Sequence, residues 1–199
     1  MISDKYHFIF IHIPKCGGTS VEKSLLDLEG VHCDWTHTFP LTTLSDINQS
    51  KYILSRRSQQ HQPLNNFRKD LQESYFTFTF CRNPWSRALS TYLYHKKLNT
   101  INKSLSLKQF ILNQTASPYH LNLQISFINK NIDFIGRFEQ LQEDFNIVCD
   151  ELNIDRRTLP HANKSMSTNY QDYYDNETRK IIGEKYAKDI EYFGYEFGK

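Results

Sequence analysis

Short apolar runs, separated by polar stretches, dominate the pattern of the chain. The first run, YHFIFIHI, combines aromatic and β-branched residues and ends at Pro14, and a later run, YFTFTFC, alternates Phe with Thr. Runs of this length and composition are typical of buried strands, and continuous apolar runs favour a parallel sheet. The pattern predicts four strands, at residues 6–13, 51–55, 75–81 and 132–138.

The stretches between these runs have the periodicity of helices. After the Gly17-Gly18 pair, Thr19 or Ser20 is expected to cap a helix that runs to about Glu29. Further helices are predicted after Pro40 and at residues 63–71, 84–98, 106–113, 139–152 and 175–188, before an aromatic tail at 192–197. Strands that alternate with helices imply βαβ units. We therefore expect an α/β fold, a single domain over residues 1–199 with a central, mostly parallel sheet flanked by helices.

Length and charge narrow the possible functions. The chain has 199 residues, of which 39% are hydrophobic, and this suffices for one packed domain. Its 24 Lys and Arg against 22 Asp and Glu give a net charge of +2. That balance argues against a strongly basic nucleic-acid-binding protein, so we expect no nucleic-acid partner. The sequence predicts no particular oligomeric state.

Cysteine usage and apolar segments bear on the compartment. Cys16, Cys33, Cys81 and Cys149 form no CxxC pair, which argues against zinc-ribbon and thioredoxin-type sites, and we expect no metal. We expect reduced thiols, with Cys81 and Cys149 buried, and a cytoplasmic protein. No apolar run approaches the roughly 20 residues of a membrane-spanning helix. No signal-peptide pattern precedes the first run, so the mature chain is expected to begin with its first strand.

The most informative segment, PKCGGTS, joins the first strand to the first helix. Gly17 and Gly18 allow backbone N–H groups to face a ligand, and the next helix presents its unpaired N–H groups and positive dipole end there. Lys15 adds a positive charge, and Thr19 and Ser20 add hydroxyl groups. The segment predicts a cradle for a phosphate- or sulfate-like anion. The alternative is an ordinary tight turn between a strand and a helix.

This segment differs from the common nucleotide-triphosphate loop. That pattern, GxxxxGK[ST], places its Lys after the last Gly, whereas Lys15 precedes both glycines. The difference argues against the usual Ser/Thr–magnesium arrangement. A nucleotide kinase of the P-loop type nevertheless stays the alternative enzyme class.

A second segment, FCRNPWSRALSTY, also begins where a predicted strand ends. Arg82 offers a planar fork that suits a phosphate group, and the hydroxyl group of Ser90 could complete the site. Ser90 and Arg87 are three residues apart and are therefore neighbours on the predicted helix. Two parallel strands that each end in an anion-binding group could hold two phosphates of one ligand. The alternative is that Arg82 pairs with a nearby carboxylate and Ser90 only fills space.

Together the two segments resemble the sulfotransferase superfamily, in particular the carbohydrate sulfotransferases related to the Golgi glycan enzymes and their bacterial relatives. IHIPKCGGTS and FCRNPWSRALSTY carry the resemblance, and IGRFEQLQEDF, LPHANKS and the terminal YEF also follow the family's pattern. The resemblance thus extends over nearly the whole chain. It implies a single α/β domain with a P-loop-like loop that binds a phosphosulfate group.

The resemblance implies transfer of a sulfuryl group, without a metal, from 3′-phosphoadenosine 5′-phosphosulfate to a hydroxyl group or an amine. We expect a hydroxyl group of a carbohydrate-type acceptor, a glycan or another hydroxyl-bearing molecule. The resemblance assigns the 5′-phosphosulfate to Lys15, Cys16, Gly17, Gly18, Thr19 and Ser20, and the 3′-phosphate to Arg82 and Ser90. Lys164 lies in a loop that tends to approach the nucleotide in relatives. Cys16 departs from the family, which often has Thr here, so the loop has one strong hydroxyl group fewer.

Attack by a sugar hydroxyl group on sulfur benefits from a base that removes the proton. Relatives carry a His in a pattern like H-x-x-x-x-x-x-R, matched here by HQPLNNFR, so the expected general base is His61. The alternative is a solvated loop histidine. Lys15 is expected to stabilise the bridging oxygen of the leaving phosphate, and His12 is expected to be a hydrogen-bonded core residue.

Further polar residues could line the acceptor cleft, contact an anionic acceptor or serve as alternative bases. They are His32, His37, His120, Arg56, Arg57, Glu29 and Glu139. A third hypothesis, besides the sulfotransferase and the kinase, is a non-catalytic module that only binds the nucleotide.

Overall fold

A central sheet organises the protein in a computed structural model that describes residues 1–30, 52–53, 61–113, 118–128, 132–160 and 169–199. Its strands are β1 (Ile2–Ser3), β2 (Phe8–Ile11), β3 (Tyr52–Ile53), β4 (Phe76–Cys81) and β5 (Phe134–Arg137). They lie in the order β3-β1-β2-β4-β5. The three longest strands, β2, β4 and β5, are parallel, whereas β1 is antiparallel to both β2 and β3.

Helices follow these strands along the described segments. They are α1 (Gly18–Leu28), α2 (Lys69–Ser74), α3 (Pro84–Lys97), α4 (Leu107–Asn113), α5 (Pro118–Leu121), α6 (Leu141–Glu151), α7 (Asn176–Lys185) and α8 (Ala187–Phe193). Short 3-10 turns occur at Leu64–Asn66, Gln124–Phe127, Phe138–Gln140 and Tyr170–Tyr173. The α/β fold with a central, mostly parallel sheet flanked by helices is therefore confirmed.

The core explains why the strands read as continuous apolar runs. All four residues of β2 are buried, because side chains from helices pack on the sheet. Leu25 of α1 and Phe145 of α6 share one buried cluster with Phe10 and Phe78 of the strands. A second buried cluster joins the helices α3, α4 and α7. The sheet is thus held between helices, and its carboxyl edge is free to carry loops.

The ends of β2 and β4 meet at that edge. The two strands pair in register, with Ile11 opposite Thr79, so the segments that follow both strands emerge side by side. Asn83 then caps α3, because its side-chain oxygen accepts hydrogen bonds from the N–H groups of Trp85 and Ser86. Pro84 is the first residue of α3, as predicted.

Three elements differ from the sequence expectation. Strand β1 was not predicted, because its two residues are too few to show a pattern; they pair with Phe8 and Ile9. The helix predicted at 63–71 is wrong, since Pro63, Phe67 and Arg68 have extended ψ angles of 152°, 154° and 139° that leave a 3-10 turn followed by α2.

The helix predicted at 175–188 is also interrupted. Tyr186 leaves the helical conformation at φ −108° and ψ 23°, so α7 ends and α8 begins there. The ring of Tyr186 is buried, and its hydroxyl group donates a hydrogen bond of 3.1 Å to the carbonyl oxygen of Leu121. This long-range contact is invisible to a local pattern.

Candidate active site

The loop between β2 and α1 has an unusual backbone. Lys15 and Gly17 both have positive φ angles, of 68° and 84°. Helix α1 begins at Gly18, with Gly17 at the N-cap position and no side chain that caps it. The prediction that Thr19 or Ser20 caps this helix is therefore wrong; both are half-buried residues of its first turn. The N–H of Ser20 donates to the carbonyl oxygen of Gly17 at 2.9 Å, so the N–H groups of Gly18 and Thr19 are the ones for which a helix supplies no carbonyl partner.

Close packing explains why both glycines are needed. A Cβ atom on Gly18 would lie 2.2 Å from Cδ2 of His12, and one on Gly17 would lie 2.7 Å from Cδ2 of Leu141. His12 is buried as expected, and its Nδ1 lies 3.0 Å from a carboxylate oxygen of Glu22 on α1. The glycines thus let the strand and the helix approach each other closely, besides leaving the loop backbone accessible.

Arg82 joins the two predicted anion-binding segments. Its guanidinium group donates hydrogen bonds of 3.1 Å to the carbonyl oxygen of Lys15 and 2.9 Å to Oγ of Ser86. It also stacks on the ring of Phe138, 3.9 Å from the ring centroid. Ser90 is half-buried and lies one helical turn beyond Ser86 on α3. Sequence reasoning missed Ser86, although its position four residues after Arg82 was a usable signal.

Arg87 braces the same loop from inside the protein. Its side chain is buried and donates hydrogen bonds to the carbonyl oxygens of Pro14 at 3.0 Å and Asn122 at 2.9 Å. Arg82 and Arg87 therefore hold two successive carbonyl groups of the loop. This bracing accounts for the left-handed conformation of Lys15, which a non-glycine residue adopts only when its surroundings support it.

Gln124 is a second residue that the sequence analysis missed. It is fully buried, and its side chain exchanges two hydrogen bonds of 2.9 Å with the backbone N–H and C=O of Arg82. Its Oε1 also accepts a bond of 3.2 Å from the thiol of Cys16. Asp189 of α8 accepts bonds from the backbone N–H groups of Gln124 and Ile125. Gln124 thus connects both segments, and a lone Gln between apolar residues gave no sequence signal.

The Cys16 side chain points into this network. Burial raises the pKa of the Cys16 thiol to about 12, and the chain keeps it as a neutral hydrogen-bond donor. Cys16 is 1% exposed and its thiol is bonded inside the protein, so this side chain is not available to a ligand at the loop. The departure from the family's Thr therefore has no direct consequence for anion binding by side chains.

The segment IGRFEQLQEDF packs against both candidate anion-binding segments. Glu139 accepts hydrogen bonds of 2.8 Å from the N–H of Asn83 and 3.0 Å from the hydroxyl group of Tyr195. Both oxygens of this carboxylate accept hydrogen bonds within the fold, which argues against Glu139 as a base.

Glu29, the other alternative base, lies past the carboxyl end of α1, about 16 Å from the start of that helix, and its carboxylate accepts a hydrogen bond from the hydroxyl group of Ser3. This distance argues against Glu29 as a base.

Lys15 carries its charge in a partly enclosed position. Its Nζ lies 4.0 Å from the ring centroid of Tyr94 on α3, a cation–π contact. Burial, and secondarily the charge of Arg82, lowers the pKa of Lys15 to about 8. An anion bound beside the two cations would relieve this repulsion. Two nearby positive groups and a helix amino terminus define a site for a ligand with more than one negative group.

His61 contacts the start of the loop between β2 and α1, at His12. Its Nδ1 is 2.9 Å from the carbonyl oxygen of His12, and the two rings meet edge to face at 4.6 Å. Because a carbonyl oxygen only accepts, Nδ1 carries the proton and Nε2 holds a lone pair. Burial, and then the neighbouring His12, lowers the pKa of His61 to about 3, so the ring is neutral at pH 7.

Several predicted residues fall outside the described segments. They are Lys164, Arg56, Arg57, His32 and His37. Among the residues that are described, no group of three or more His, Cys, Asp and Glu side chains could hold a metal ion. No helix in the same segments is long and apolar enough to cross a membrane.

The fold is that of an α/β protein in which the loop with Lys15 and the start of α3 with Arg82 lie together at the carboxyl edge of the sheet. Residues 1–196 match the model of the family described as "Sulfotransferase family". The chain therefore belongs to the sulfotransferase family, and it is a transferase by this membership. The match disfavours the alternative of a nucleotide kinase.

Individual relatives are more distant. An uncharacterized protein of Archaeoglobus fulgidus is 30% identical over 107 residues, which cover 52% of this chain and 88% of that protein. A crystal structure of a sulfotransferase from Alicyclobacillus acidocaldarius aligns with 96% of each chain at 15% identity and a TM-score of 0.48.

Proposed function

We propose that the protein transfers a sulfuryl group from 3′-phosphoadenosine 5′-phosphosulfate to a hydroxyl group of a carbohydrate-type acceptor. The observation that carries the proposal is the 3.1 Å hydrogen bond from Arg82 to the carbonyl oxygen of Lys15. It joins the two cationic segments in one site, which suits a ligand with phosphate groups at both ends of a nucleoside. The fit of this donor rests on cations, hydroxyl groups and helix N–H groups, all of which favour phosphate and sulfate oxygens.

The residues that would hold the donor divide into two sets. The phosphosulfate group is assigned to Lys15, Cys16, Gly17, Gly18, Thr19 and Ser20, and the 3′-phosphate to Arg82 and Ser90, with Lys164 as a further nucleotide contact. Cys16 takes part through its backbone, because its thiol is turned towards Gln124. Ser86 orients Arg82 through the 2.9 Å bond to its Nε. When bound, the donor supplies the sulfuryl group and a phosphate leaving group.

Two residues of the chain act on the reacting atoms. His61 removes the proton of the acceptor hydroxyl group with Nε2, because its Nδ1–H is bonded to the carbonyl oxygen of His12. The ring gains basicity when negative charge lies close to it. Lys15 stabilises the charge that develops on the oxygen of the leaving phosphate. The new bond joins the acceptor oxygen to sulfur, the sulfur–oxygen bond to the phosphate breaks, and the proton stays on His61.

The direct test is calorimetry with 3′-phosphoadenosine 5′-phosphate and, separately, with ATP and Mg²⁺. We expect the former to bind more tightly, and we expect Lys15→Ala and Arg82→Ala each to weaken it. Lys103→Ala, at an exposed position on the loop before α4, is the matched control. A clear preference for ATP would contradict the proposal.

Turnover is tested by incubating the labelled sulfate donor with a panel of methyl glycosides. Transfer that survives both Lys15→Ala and Arg82→Ala unchanged would contradict the residue assignment. Tight nucleotide binding without transfer to any glycoside would favour the non-catalytic module.

The proposal includes a cytoplasmic location, which the free thiols of Cys16, Cys81 and Cys149 support. It also includes one domain over residues 1–199, which the family match over residues 1–196 supports.

A further inference from the structure

A row of side chains leads from the surface to the candidate acceptor side of the site. Thr100 is exposed, and its Oγ1 lies 2.7 Å from Nδ1 of His95, a buried residue in the last turn of α3. Nε2 of His95 is 3.0 Å from Nδ1 of His120, which is half-buried. The protein thus contains a continuous hydrogen-bonded chain of one hydroxyl group and two imidazole rings, outside the residues assigned to the nucleotide.

The hydrogen-bonded row of Thr100, His95 and His120 can carry its protons in two consistent arrangements. The hydroxyl proton of Thr100 points either to Nδ1 of His95 or to the carbonyl oxygen of His95, which lies 3.2 Å from it. In the second arrangement Nδ1–H of His95 donates to Thr100, and Nδ1–H of His120 donates to Nε2 of His95. The second arrangement makes one hydrogen bond more, because the Thr100 hydroxyl group then both donates to the carbonyl oxygen of His95 and accepts from Nδ1–H; the backbone N–H of Thr100 bonds the same carbonyl oxygen in either arrangement. It leaves Nε2 of His120 with a lone pair.

His120 and His61 are therefore equivalent in chemistry and close in space. Their rings meet edge to face, with centroids 5.7 Å apart. In the second arrangement each ring donates its Nδ1–H to the protein, to His95 in one case and to the carbonyl oxygen of His12 in the other. Each keeps Nε2 as a hydrogen-bond acceptor. Two such acceptors in one place suit a ligand with O–H donors.

The surrounding charges favour a neutral ligand group here. Burial, followed by the charges of His95, Lys15, Arg87 and His12, lowers the pKa of His120 to about 4, so the ring is neutral at pH 7. The ring of Tyr94 connects this histidine to the cation of Lys15, 5.7 Å from one and 4.0 Å from the other. An ammonium group would be repelled by these cations, whereas a hydroxyl group would not.

We infer that Nε2 of His120 accepts a hydrogen bond from the acceptor's hydroxyl groups beside His61, and that His95 and Thr100 are positioning residues that fix its tautomer. This inference rests on the proposed function and deepens it. It assigns the site to acceptors with hydroxyl groups, whose O–H donors match the two unprotonated ring nitrogens. His61 removes the proton, and His120 orients the acceptor for the attack.

The test is ¹⁵N NMR of the full chain with labelled histidines and saturating 3′-phosphoadenosine 5′-phosphate. His120→Asn, which can keep a donor near the Nδ1 position, assigns the His120 signals. We expect His120 to have a protonated Nδ1 and a bare Nε2. Methyl glycosides are then added, and we expect at least one to shift the Nε2 signals of both His61 and His120. A protonated Nε2 on His120, or glycosides that leave the His120 signal unmoved, would overturn the inference.

Variants separate positioning from stability. Thr100→Val removes one hydroxyl group, so we expect His120 to become a mixture of tautomers and glycoside affinity to fall about 2- to 10-fold. Nucleotide affinity should stay the same. The matched controls for the Thr and His variants are two exposed residues. Thr158→Val is the control for Thr100→Val, and His7→Asn, directly before the amino end of β2, is the control for His120→Asn. Thr100→Val with an unchanged His120 spectrum would remove the positioning role.

Failure of the proposed function has a different signature. It would appear as absent nucleotide binding by calorimetry, while the His120 tautomer can still be read in the ligand-free protein. Conversely, tight nucleotide binding with a protonated Nε2 on His120 would leave the proposed function intact and overturn only the inference.

Discussion

The proposed nucleotide side and the proposed acceptor side of the site differ in how they are built. On the nucleotide side, Arg82 and Arg87 bond the backbone of the Lys15 loop, and Gln124 bonds the backbone of Arg82. On the acceptor side, neutral rings contact one another, as His61 and His120 do. On the side of Arg82 and Arg87, positive side chains are held by hydrogen bonds to the main chain. On the side of His61 and His120, the rings are neutral, and their hydrogen bonds fix which nitrogen carries the proton.

This difference fits the two tasks. Binding a multiply charged anion requires cations that are present before the ligand arrives, and main-chain bonds hold them in place. A general base must hold a lone pair before it takes the proton; burial keeps both rings neutral at pH 7 but lowers their pKa, and the negative charge of a bound donor raises their basicity again. Substitutions on the two sides should therefore separate nucleotide affinity from turnover.

The largest expected effect is on the acceptor side. His61→Asn removes the ring nitrogen that takes the proton, so we expect kcat to fall by about 10²- to 10⁴-fold. Nucleotide affinity measured by calorimetry should change little, because His61 contacts the loop at His12 and not at the residues assigned to the nucleotide. A parallel loss of nucleotide affinity would break the comparison between the two sides.

Lys15→Met should affect both binding and turnover. Loss of the ammonium group removes the stabilisation of the leaving phosphate, and we expect kcat to fall by about 10²- to 10³-fold. Affinity for 3′-phosphoadenosine 5′-phosphate should fall as well, unlike in His61→Asn. Lys103→Met serves as the control, and a variant that lost kcat alone would place Lys15 outside nucleotide binding.

Gln124→Leu tests whether the two segments depend on their shared buried partner. The backbone N–H and C=O of Arg82 would each lose a hydrogen bond in a dry environment, at a cost of about 2–4 kcal/mol in the free energy of unfolding. Urea denaturation measures this loss, and calorimetry should show weaker nucleotide binding in the folded variant. Unchanged nucleotide affinity would show that Gln124 stabilises the fold alone.

The pH dependence of nucleotide affinity should report Lys15. Its pKa is about 8 in the free protein, and only the ammonium form attracts an anion. Affinity should therefore be fully present below pH 8 and decrease above it, approaching tenfold per pH unit. Phosphate groups stay fully charged in that range. Lys15→Met should lack this dependence, and a fall below pH 7 instead would contradict the assignment.

The smallest expected effects separate Ser86 from Ser90. Either Ser→Ala change should weaken binding of 3′-phosphoadenosine 5′-phosphate by about 2- to 12-fold relative to adenosine 5′-phosphate. Ser86 acts through Arg82, so its effect should vanish in an Arg82→Ala background, whereas that of Ser90 should persist. The reverse result would exchange their roles.

Local patterns predicted much of the fold and the nucleotide side. Strands β2 and β4 are buried apolar runs, and α3 begins at Pro84 as predicted. Lys15 and Arg82 lie at the ends of adjacent parallel strands, so their meeting follows from the register of the sheet. The rest depended on contacts between residues far apart in the chain. Gln124 meets Arg82 and Cys16 across 42 and 108 positions, and no local pattern encodes that.

Tautomers and side-chain directions were equally hidden from the sequence. The direction of the Cys16 side chain was not predicted; its thiol is buried against Gln124. His120 was only one of several polar candidates for the acceptor cleft. Its chemistry depends on which ring nitrogen bonds His95, and that requires coordinates.

The left-handed Lys15 has a thermodynamic consequence for ligand capture. A single αL residue without glycine costs about 1–3 kcal/mol, and here the cost is met during folding by the arginine bonds to the loop carbonyls. Association then has little conformational entropy left to lose at this loop. Crystals grown with and without nucleotide should superimpose there, and the heat of binding should carry no contribution from ordering the backbone.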